Sequence, residues 1–314
     1  MPEATSDSFV SVYEVGPRDG LQNETTILPV ATKILLIQEL IAAGIRRMEA
    51  TSFVSPAWVP QLADADELCA QLPRKEGVSY SALCPNKRGL ERALSARVPE
   101  VAVFVSASET HNKKNVNKSI AETLVAFQEV VGPATSLKLR VRGYVSTVWG
   151  CPYEGAVAPE AALRIAHQLR AMGCYQISLG DTIGIGNPRQ TRDIVGLFLK
   201  EFAPHELALH MHDTRGSALA NIVVAIDAGI RDFDASIGGM GGCPYAPGAA
   251  GNVATEDLVT MLHGMGLTTG LDEDRLIEAA LYAERAVGRA LPGKVHVAGR
   301  FVPRGISTSQ GTDA

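Results

Sequence analysis

Leu207-Ala-Leu-His-Met-His212 alternates as a β-strand does, and it leads through the turn Asp213-Thr-Arg-Gly216 into an amphipathic stretch over residues 217–228. The same order of strand, turn and helix recurs along the chain, because seven other short apolar or β-branched runs are each followed by helical spacing. The predicted strands cover residues 9–15, 46–51, 78–83, 101–106, 137–147, 176–179, 207–212 and 233–237. The predicted helices cover residues 29–43, 60–71, 87–95, 119–131, 159–172, 188–202, 217–228 and 255–265.

Eight strand–helix units predict an α/β protein in which a (β/α)8 TIM barrel is the simplest closed arrangement. The alternative is a doubly wound open sheet, which is disfavoured because neither a GxGxxG motif nor a P-loop follows any of the strands. We expect a single domain over residues 1–314, with the barrel at about 9–266. An extra C-terminal helix is expected at about 272–288, and a flexible tail at about 300–314.

The composition indicates the type of core, the kind of partner and the cellular compartment. The hydrophobic fraction of 46% supports a sizeable core, and aromatic residues at only 5% predict that this core is mostly aliphatic. The net charge is −5 with Lys and Arg scattered, so the sequence predicts small-molecule partners rather than nucleic acid or a membrane. Five widely spaced cysteines without a Cys-x-x-Cys pair indicate reduced thiols, and we expect a cytoplasmic location.

Polar residues follow several of the predicted strands, where a barrel places its functional groups. His210 and His212 share one face of their strand and resemble half of a metal site, although a hydrogen-bonded pair of core histidines is the alternative. The other polar segments are Glu14-Val-Gly-Pro-Arg-Asp-Gly-Leu-Gln-Asn-Glu24, Glu49-Ala-Thr-Ser52, Gly180-Asp-Thr182 and the glycine-dense run over residues 238–252.

These segments resemble the 3-hydroxy-3-methylglutaryl-CoA (HMG-CoA) lyase family from about residue 10 to about residue 288. The motifs that carry the resemblance are Val15-Gly-Pro-Arg-Asp-Gly-Leu-Gln-Asn-Glu24, Thr51-Ser-Phe-Val-Ser-Pro56, Gly150-Cys-Pro-Tyr-Glu-Gly155, Gly180-Asp-Thr-Ile-Gly184, Gly242-Cys-Pro-Tyr245 and Gly251-Asn-Val-Ala-Thr-Glu-Asp257. The resemblance implies a divalent cation, Mg²⁺ or Mn²⁺, and cleavage of HMG-CoA to acetoacetate and acetyl-CoA, as in leucine degradation and ketone-body metabolism. It also implies an acyl-CoA substrate and a homodimer.

By the same resemblance, four residues are the expected metal ligands: Asp19, His210, His212 and Asn252. A mixed set of oxygen and nitrogen donors without thiolate suits a hard or borderline cation. For Asn252 the alternative is a helix cap near residue 255.

The resemblance also assigns the chemistry. Arg18, which stays protonated, would stabilise the enolate oxygen, and Glu49 would hold this arginine. Asp181 is a candidate to take the hydroxyl proton, alone or shared with His210, and the sequence does not decide between them. Cys243 would protonate the enolate or complete the closed site.

Substrate contacts follow from matching positions in the family. Lys114 with Asn115 would lie near the pocket mouth, where a lysine suits the phosphates of CoA, although a solvated loop is the alternative. The residues expected to line the acyl pocket are Gln22, Ser52, Tyr153 and Thr182, together with Arg18.

Three positions depart from the family pattern: Arg215 replaces a tyrosine, Ala50 a bulkier apolar residue, and His111 an apolar or aromatic one. They leave open a longer or different branched 3-hydroxyacyl-CoA substrate. A related Claisen synthase or aldolase acting on 2-oxo acids would share the Arg18-Asp19 pair but not need Cys243. A non-catalytic barrel would tolerate loss of Arg18 or Cys243.

Overall fold

A closed ring of eight parallel strands forms the centre of the protein, and the computed structural model describes residues 8–241 and 251–301. The ring closes where β1 pairs with β8, with Ser11 opposite Asp232 and Glu14 opposite Ala235. The predicted barrel is therefore confirmed. The strands are β1 Ser11–Glu14, β2 Arg47–Ser52, β3 Ser79–Leu83, β4 Glu100–Ser106, β5 Arg140–Ser146, β6 Gln176–Asp181, β7 Leu207–Met211 and β8 Asp232–Ala235.

Helices connect the strands and surround the ring, as expected when each parallel crossover packs back onto the sheet. Two of them, over residues 159–172 and 188–198, begin with proline in the first turn, where its missing N–H group costs no hydrogen bond. The helices are α1 Val30–Ala42, α2 Ala65–Gln71, α3 Lys87–Ser95, α4 Glu109–Val116, α5 Ile120–Ser136, α6 Pro159–Met172, α7 Pro188–Phe198, α8 Ala218–Asp227, α9 Thr255–Gly264, α10 Glu273–Val287 and α11 Val295–Ala298.

The region between β4 and β5 differs from the prediction. Helix α4 was not predicted, because its polar sequence lacks an apolar stripe; the Ser108 side chain caps its first turn by accepting from the His111 N–H. Asn117 ends it in the left-handed conformation at φ 56°. Helix α5 continues past Pro133 to Ser136, so the predicted start of β5 at residue 137 is wrong and the strand begins at Arg140.

Two different cores occupy the two faces of the sheet. Aliphatic side chains such as Ile177 and Leu179 fill the space between strands and helices, as the composition predicts. The interior of the barrel is instead largely polar. Arg142 there donates through Nη2 to Asp234 Oδ1 at 2.6 Å, and both side chains are fully buried. This polar interior leads upward to the carboxyl ends of the strands.

Helix α10 corresponds to the extra helix predicted at 272–288. Its buried residues, including Leu276 and Val287, belong to the same hydrophobic core as α1. The Thr26 hydroxyl also donates to the Val287 carbonyl oxygen at 3.0 Å. This apolar face is therefore covered within the chain and gives no argument for a dimer. In the described part of the chain, every helix is too short or too polar to cross a membrane.

Candidate active site and metal centre

A tight turn after β1 presents Arg18 and Asp19 to the barrel mouth. Residues Gly16–Gly20 form a single π-helical turn in which the N–H groups of Asp19 and Gly20 donate to the Val15 carbonyl oxygen at 2.7 and 3.2 Å. A Cβ atom on Gly16 would lie 2.6 Å from Glu14 Oε1, so the turn needs glycine there. The sequence Gly-Pro-Arg-Asp-Gly thus fixes both functional side chains by its backbone.

Arg18 is clamped between two carboxylates. Its Nε and Nη2 atoms each lie 2.5 Å from Glu49 Oε2, and its Nη1 lies 2.5 Å from Asp19 Oδ1. Burial alone would lower the pKa of Arg18, but the two carboxylates raise it above its ordinary value. A register shift between Glu49 and Thr51 in β2 lies beside this clamp, where such bulges commonly re-aim a side chain. Glu49 therefore holds Arg18, as the sequence predicts.

Asp19, His210 and His212 form a cluster that could hold a metal ion, with one donor atom from each within 4.8 Å of the others. His210 Nε2 lies 3.2 Å from His212 Nε2 and 3.7 Å from Asp19 Oδ2. Burial and the neighbouring His210 lower the pKa of His212 to about 3. Burial would raise the pKa of Asp19, but Arg18 and both imidazoles lower it well below its usual range. Two imidazole nitrogens and one carboxylate oxygen therefore converge, a donor set that fits a divalent cation.

Asn252 lies beside the cluster with its amide nitrogen towards it. The Nδ2 atom donates to Asp19 Oδ2 at 2.8 Å and to the Met240 carbonyl oxygen at 3.1 Å. Backbone pairing between His212 and Asn252 fixes its position. The alternative role as a helix cap is not seen, because Ala254 occupies the N-cap position of α9. Asn252 would offer its amide oxygen to a metal ion only after the amide group turns over.

The cavity above the cluster has a volume of about 320 Å³. Its lining combines polar residues with an apolar wall, defined here as Val54, Leu83 and Phe104. The predicted site residues that line the cavity are Arg18, Asp19, Gln22, Asn115, Thr182, His210 and His212. The predicted residues placed outside its lining are Glu49, Ser52, Lys114, Tyr153, Asp181 and Asn252.

Asp181 is turned away from the cavity. Gly180 and Thr182 face inward, so the intervening side chain points to the outside of the sheet. Its Oδ1 accepts the Ile185 N–H at 3.1 Å and its Oδ2 the Gly186 N–H at 2.8 Å. Burial raises the pKa of this carboxyl. In this structure Asp181 therefore holds the turn over residues 182–186 and does not reach a substrate in the cavity.

Lys114 and Tyr153 lie against each other, next in sequence or space to the lining residues Asn115 and His111. The ammonium nitrogen of Lys114 lies 4.7 Å from the centre of the Tyr153 ring, and the His111 ring lies 6.2 Å from the same ring. Lys114 belongs to helix α4 rather than to a loop, and its side chain is exposed to solvent. Ser52 lies deeper, where its hydroxyl accepts the Val54 N–H at 3.2 Å and shapes the end of β2. Cys243 falls outside the described residues.

Comparison with known proteins identifies the family. The HMGL-like family model matches residues 10–282. The chain belongs to the HMGL-like family. It is 51% identical over 281 residues to the hydroxymethylglutaryl-CoA lyase of Pseudomonas mevalonii, covering 90% of this chain and 93% of that one. The predicted resemblance to the HMG-CoA lyases is therefore confirmed.

Solved structures agree with this assignment. The HMG-CoA lyase of Bacillus subtilis superimposes with a TM-score of 0.91 at 47% identity, covering 93% of this chain and 98% of that one. An HMG-CoA lyase from Acenitobacter baumannii, solved in complex with coenzyme A and 3-methylmalate, also reaches a TM-score of 0.91. It is 39% identical, and the match covers 96% of this chain and 99% of that one.

Several residues of this HMGL-like site were missed by the sequence reasoning. Asp234 Oδ2 lies 3.1 Å from His210 Nδ1, and Arg142 Nη2 donates to the other oxygen of the same carboxylate. Burial would raise the pKa of Asp234, but Arg142 and His210 lower it to about 2. The signal was available in the alternating charges Arg140-Val-Arg142 and Asp232-Phe-Asp234, which place like residues on one face of a strand.

Glu14 is a second buried carboxylate that was not assigned a role. Its Oε1 accepts the N–H groups of Gly16 and Ile237 at 2.7 and 3.0 Å, and its Oε2 accepts the Thr255 hydroxyl at 2.7 Å. These contacts tie the turn that carries Arg18 to the segments before and after residues 242–250. Glu14 therefore supports the site from below the turn.

Proposed function

We propose that this chain cleaves HMG-CoA to acetoacetate and acetyl-CoA. The observation that carries the proposal is the position of Arg18, which lines the same cavity as the Asp19, His210 and His212 cluster. The names of the relatives at about half identity support the same activity. The relative that binds coenzyme A together with 3-methylmalate supports a cavity that receives a hydroxy acid beside CoA.

We propose Mg²⁺ or Mn²⁺ as the cation, held by Asp19, His210 and His212 with Asn252 adjacent. The predominance of hard oxygen and imidazole donors supports these ions over one that prefers thiolates. When bound, such an ion lowers the pKa of the substrate hydroxyl and orients the substrate.

Arg18 then handles the charge that develops on the other half of the substrate. Cleavage breaks the bond between C2 and C3 while the C3 hydroxyl loses its proton and becomes the ketone of acetoacetate. The bonding electron pair moves to the thioester as an enolate, which takes a proton at C2 to give acetyl-CoA. Among the described residues, Arg18 uses three of its five N–H groups on Glu49 and Asp19, which leaves two for the enolate oxygen.

The groups that move protons are constrained by this geometry. The Nδ1 of His210 contacts Asp234 and its Nε2 faces the metal cluster, so the ring is committed on both sides. Asp181 can receive the hydroxyl proton directly only if the turn over residues 182–186 releases it. We therefore propose that Asp181 supports the cavity wall in the resting enzyme and receives the hydroxyl proton once this turn releases it, and that Cys243 supplies the proton to C2.

A longer 3-alkyl chain is the second candidate for the substrate. The apolar wall of Val54, Leu83 and Phe104 lines the same cavity as the polar cluster, and we propose that it receives the 3-methyl group of HMG-CoA. Leu83 joins Tyr144 and Ala102 in a small apolar cluster against which Val54 and Phe104 pack only partly buried. A branched 3-hydroxyacyl-CoA with additional carbons would contact the same wall.

We also propose a cytoplasmic homodimer with the whole chain as one domain. The four described cysteines, all buried free thiols, support a reducing compartment. The dimer rests on the family resemblance, and light scattering of the purified protein tests it: a monomer mass would refute it.

The activity is tested by coupled detection of acetyl-CoA from HMG-CoA, with Mg²⁺ or Mn²⁺ and with EDTA. Arg18→Gln should lower kcat by at least about 100-fold, because a transition-state contact is lost. Arg92→Gln is the matched control, since Arg92 pairs with Asp66 on the surface and its loss should leave the rate unchanged. No turnover by folded wild-type protein would refute the named substrate and direct the assay to longer acyl-CoAs, then to 2-oxo acids.

A further inference from the structure

We propose that Asp234 is a positioning residue that determines which nitrogen of His210 faces the cavity, an inference that rests on the proposed metal site. Asp234 lies on β8 with a side chain that is 0% exposed, whereas His210 at the end of β7 is 12% exposed. The two side chains meet inside the barrel, where Asp234 Oδ2 lies 3.1 Å from His210 Nδ1. Asp234 touches neither the cavity nor the other candidate ligands among the described contacts, so it would act through the imidazole.

Two further groups hold the Asp234 carboxylate in this position. Arg142 Nη2 donates to Oδ1 at 2.6 Å, and the Ser178 hydroxyl donates to Oδ2 at 2.9 Å. Arg142 is itself fully buried, and its Nε donates to Gln176 Oε1 at 3.0 Å. A buried guanidinium without its carboxylate partner would be costly, so the ion pair keeps Asp234 ionised. An ionised carboxylate only accepts hydrogen bonds.

The consequence is a defined tautomer of His210. Because Asp234 accepts, the contact at 3.1 Å requires a proton on His210 Nδ1. With the proton on Nδ1, Nε2 is the ring nitrogen left to offer a lone pair, and it is the atom that faces His212 Nε2 and Asp19 Oδ2. Metal-binding histidines generally have their other ring nitrogen held in this manner. Asp234 thus prepares Nε2 as a ligand before any ion arrives.

The buried contacts of Arg142 also extend to Glu49, one of the two carboxylates that hold Arg18. Arg142 Nη1 donates to the Tyr144 hydroxyl at 2.9 Å, and that hydroxyl lies 3.5 Å from Glu49 Oε2. Glu49 in turn holds Arg18. One set of buried contacts therefore supports both the metal ligand and the residue that faces the enolate, and Asp234 is the member next to the metal ligand.

The test compares Asp234→Asn with Asp232→Asn by titration calorimetry with Mn²⁺. An asparagine can donate to Nδ1, which moves the ring proton to Nε2. The same change of aspartate to asparagine in the catalytic triad of serine proteases leaves the histidine in the wrong tautomer. We expect Mn²⁺ affinity to fall about 10-fold to 100-fold in Asp234→Asn. Asp232 lies two residues earlier on the same face, where it pairs with Arg47 at 2.7 Å, and its variant should keep wild-type affinity.

Nitrogen-15 NMR of labelled histidines supplies a readout that a merely structural role would not change. The wild-type protein without metal should show His210 protonated at Nδ1, and Asp234→Asn should show it protonated at Nε2. A spectrum of the wild-type protein that shows His210 protonated at Nε2 would overturn the proposal, even if the variant fails to fold. A folded Asp234→Asn variant that binds Mn²⁺ as tightly as the wild-type protein would also overturn it. If wild-type protein binds no Mn²⁺, the metal site of the proposed function fails, whereas the tautomer is still decided by NMR.

Discussion

Replacing Glu14 by glutamine should remove a pH dependence of stability that this one carboxyl produces. Burial raises the pKa of Glu14 from 4.5 to about 7, against the opposing hydrogen bonds from Thr255, Ile237 and Gly16. The folded protein therefore holds a proton between these two pH values that the unfolded chain releases. Stability from this group is fully present below about pH 4.5 and is lost as the pH rises through 7.

The magnitude follows from the size of the pKa change. At about 1.4 kcal/mol for each pH unit, moving the pKa from 4.5 to about 7 corresponds to about 3 kcal/mol of unfolding free energy. In Glu14→Gln the amide oxygen can accept the same two N–H groups, and the amide nitrogen can donate to Thr255. Wild type should therefore lose about 3 kcal/mol relative to the variant between pH 4.5 and pH 7.

Urea unfolding at several pH values, followed by circular dichroism, measures this difference. Glu129→Gln controls for loss of one carboxylate, because Glu129 is exposed on α5. A difference between wild type and Glu14→Gln that stays constant with pH would refute the reasoning. A difference that grows in favour of wild type as the pH rises would show that the three hydrogen bonds outweigh burial.

Two further substitutions test the walls and mouth of the cavity. In Asp181→Asn an amide group replaces the carboxylate oxygen that accepts the Gly186 N–H, so the turn over residues 182–186 loses a hydrogen bond. We expect kcat to fall about 10-fold or more, and the backbone N–H groups of residues 182–186 to exchange with solvent faster. Loss of rate with unchanged exchange would show that Asp181 acts as the proton acceptor without holding the turn. Lys114→Gln should raise KM for the acyl-CoA about 3-fold to 10-fold, leave kcat unchanged and reduce the sensitivity of KM to salt; an unchanged KM would contradict a role in CoA binding.

The fold was predictable because apolar alternation and helical spacing recur together, and His210 and His212 could be placed at a strand end from that alone. Helix α4 was not predictable by the same means, since its residues carry no apolar stripe and its start depends on the Ser108 cap. The continuation of α5 past Pro133 was missed because proline usually ends a helix. These elements depend on local capping rather than on periodicity.

The convergence of Asp19 with His210 and His212 and the pairing of Arg18 with Glu49 were predictable. The structure decided which of the predicted residues face the cavity, a question that the sequence left open. Asp181 and Thr182 are adjacent in sequence, but only Thr182 faces the cavity, because alternate residues of a strand point to opposite faces. The roles of Asp234 and Glu14 depend on partners far away in the chain, and such pairings require the closed barrel to be known.

The position of Gly241 has a consequence for how related chains can diverge in length. At φ 96° it lies so close to the cluster that a Cβ atom would come within 2.5 Å of Asn252 Nδ2. Gly241 and Asn252, which flank residues 242–250, therefore lie next to each other. Lengthening the chain between them would cost only about 0.6 kcal/mol of closure entropy for each doubling of the span. The separation of Asp19 and Asn252 therefore places little constraint on the number of residues between positions 241 and 252, whereas the proposed role of Cys243 constrains where an insertion can fall.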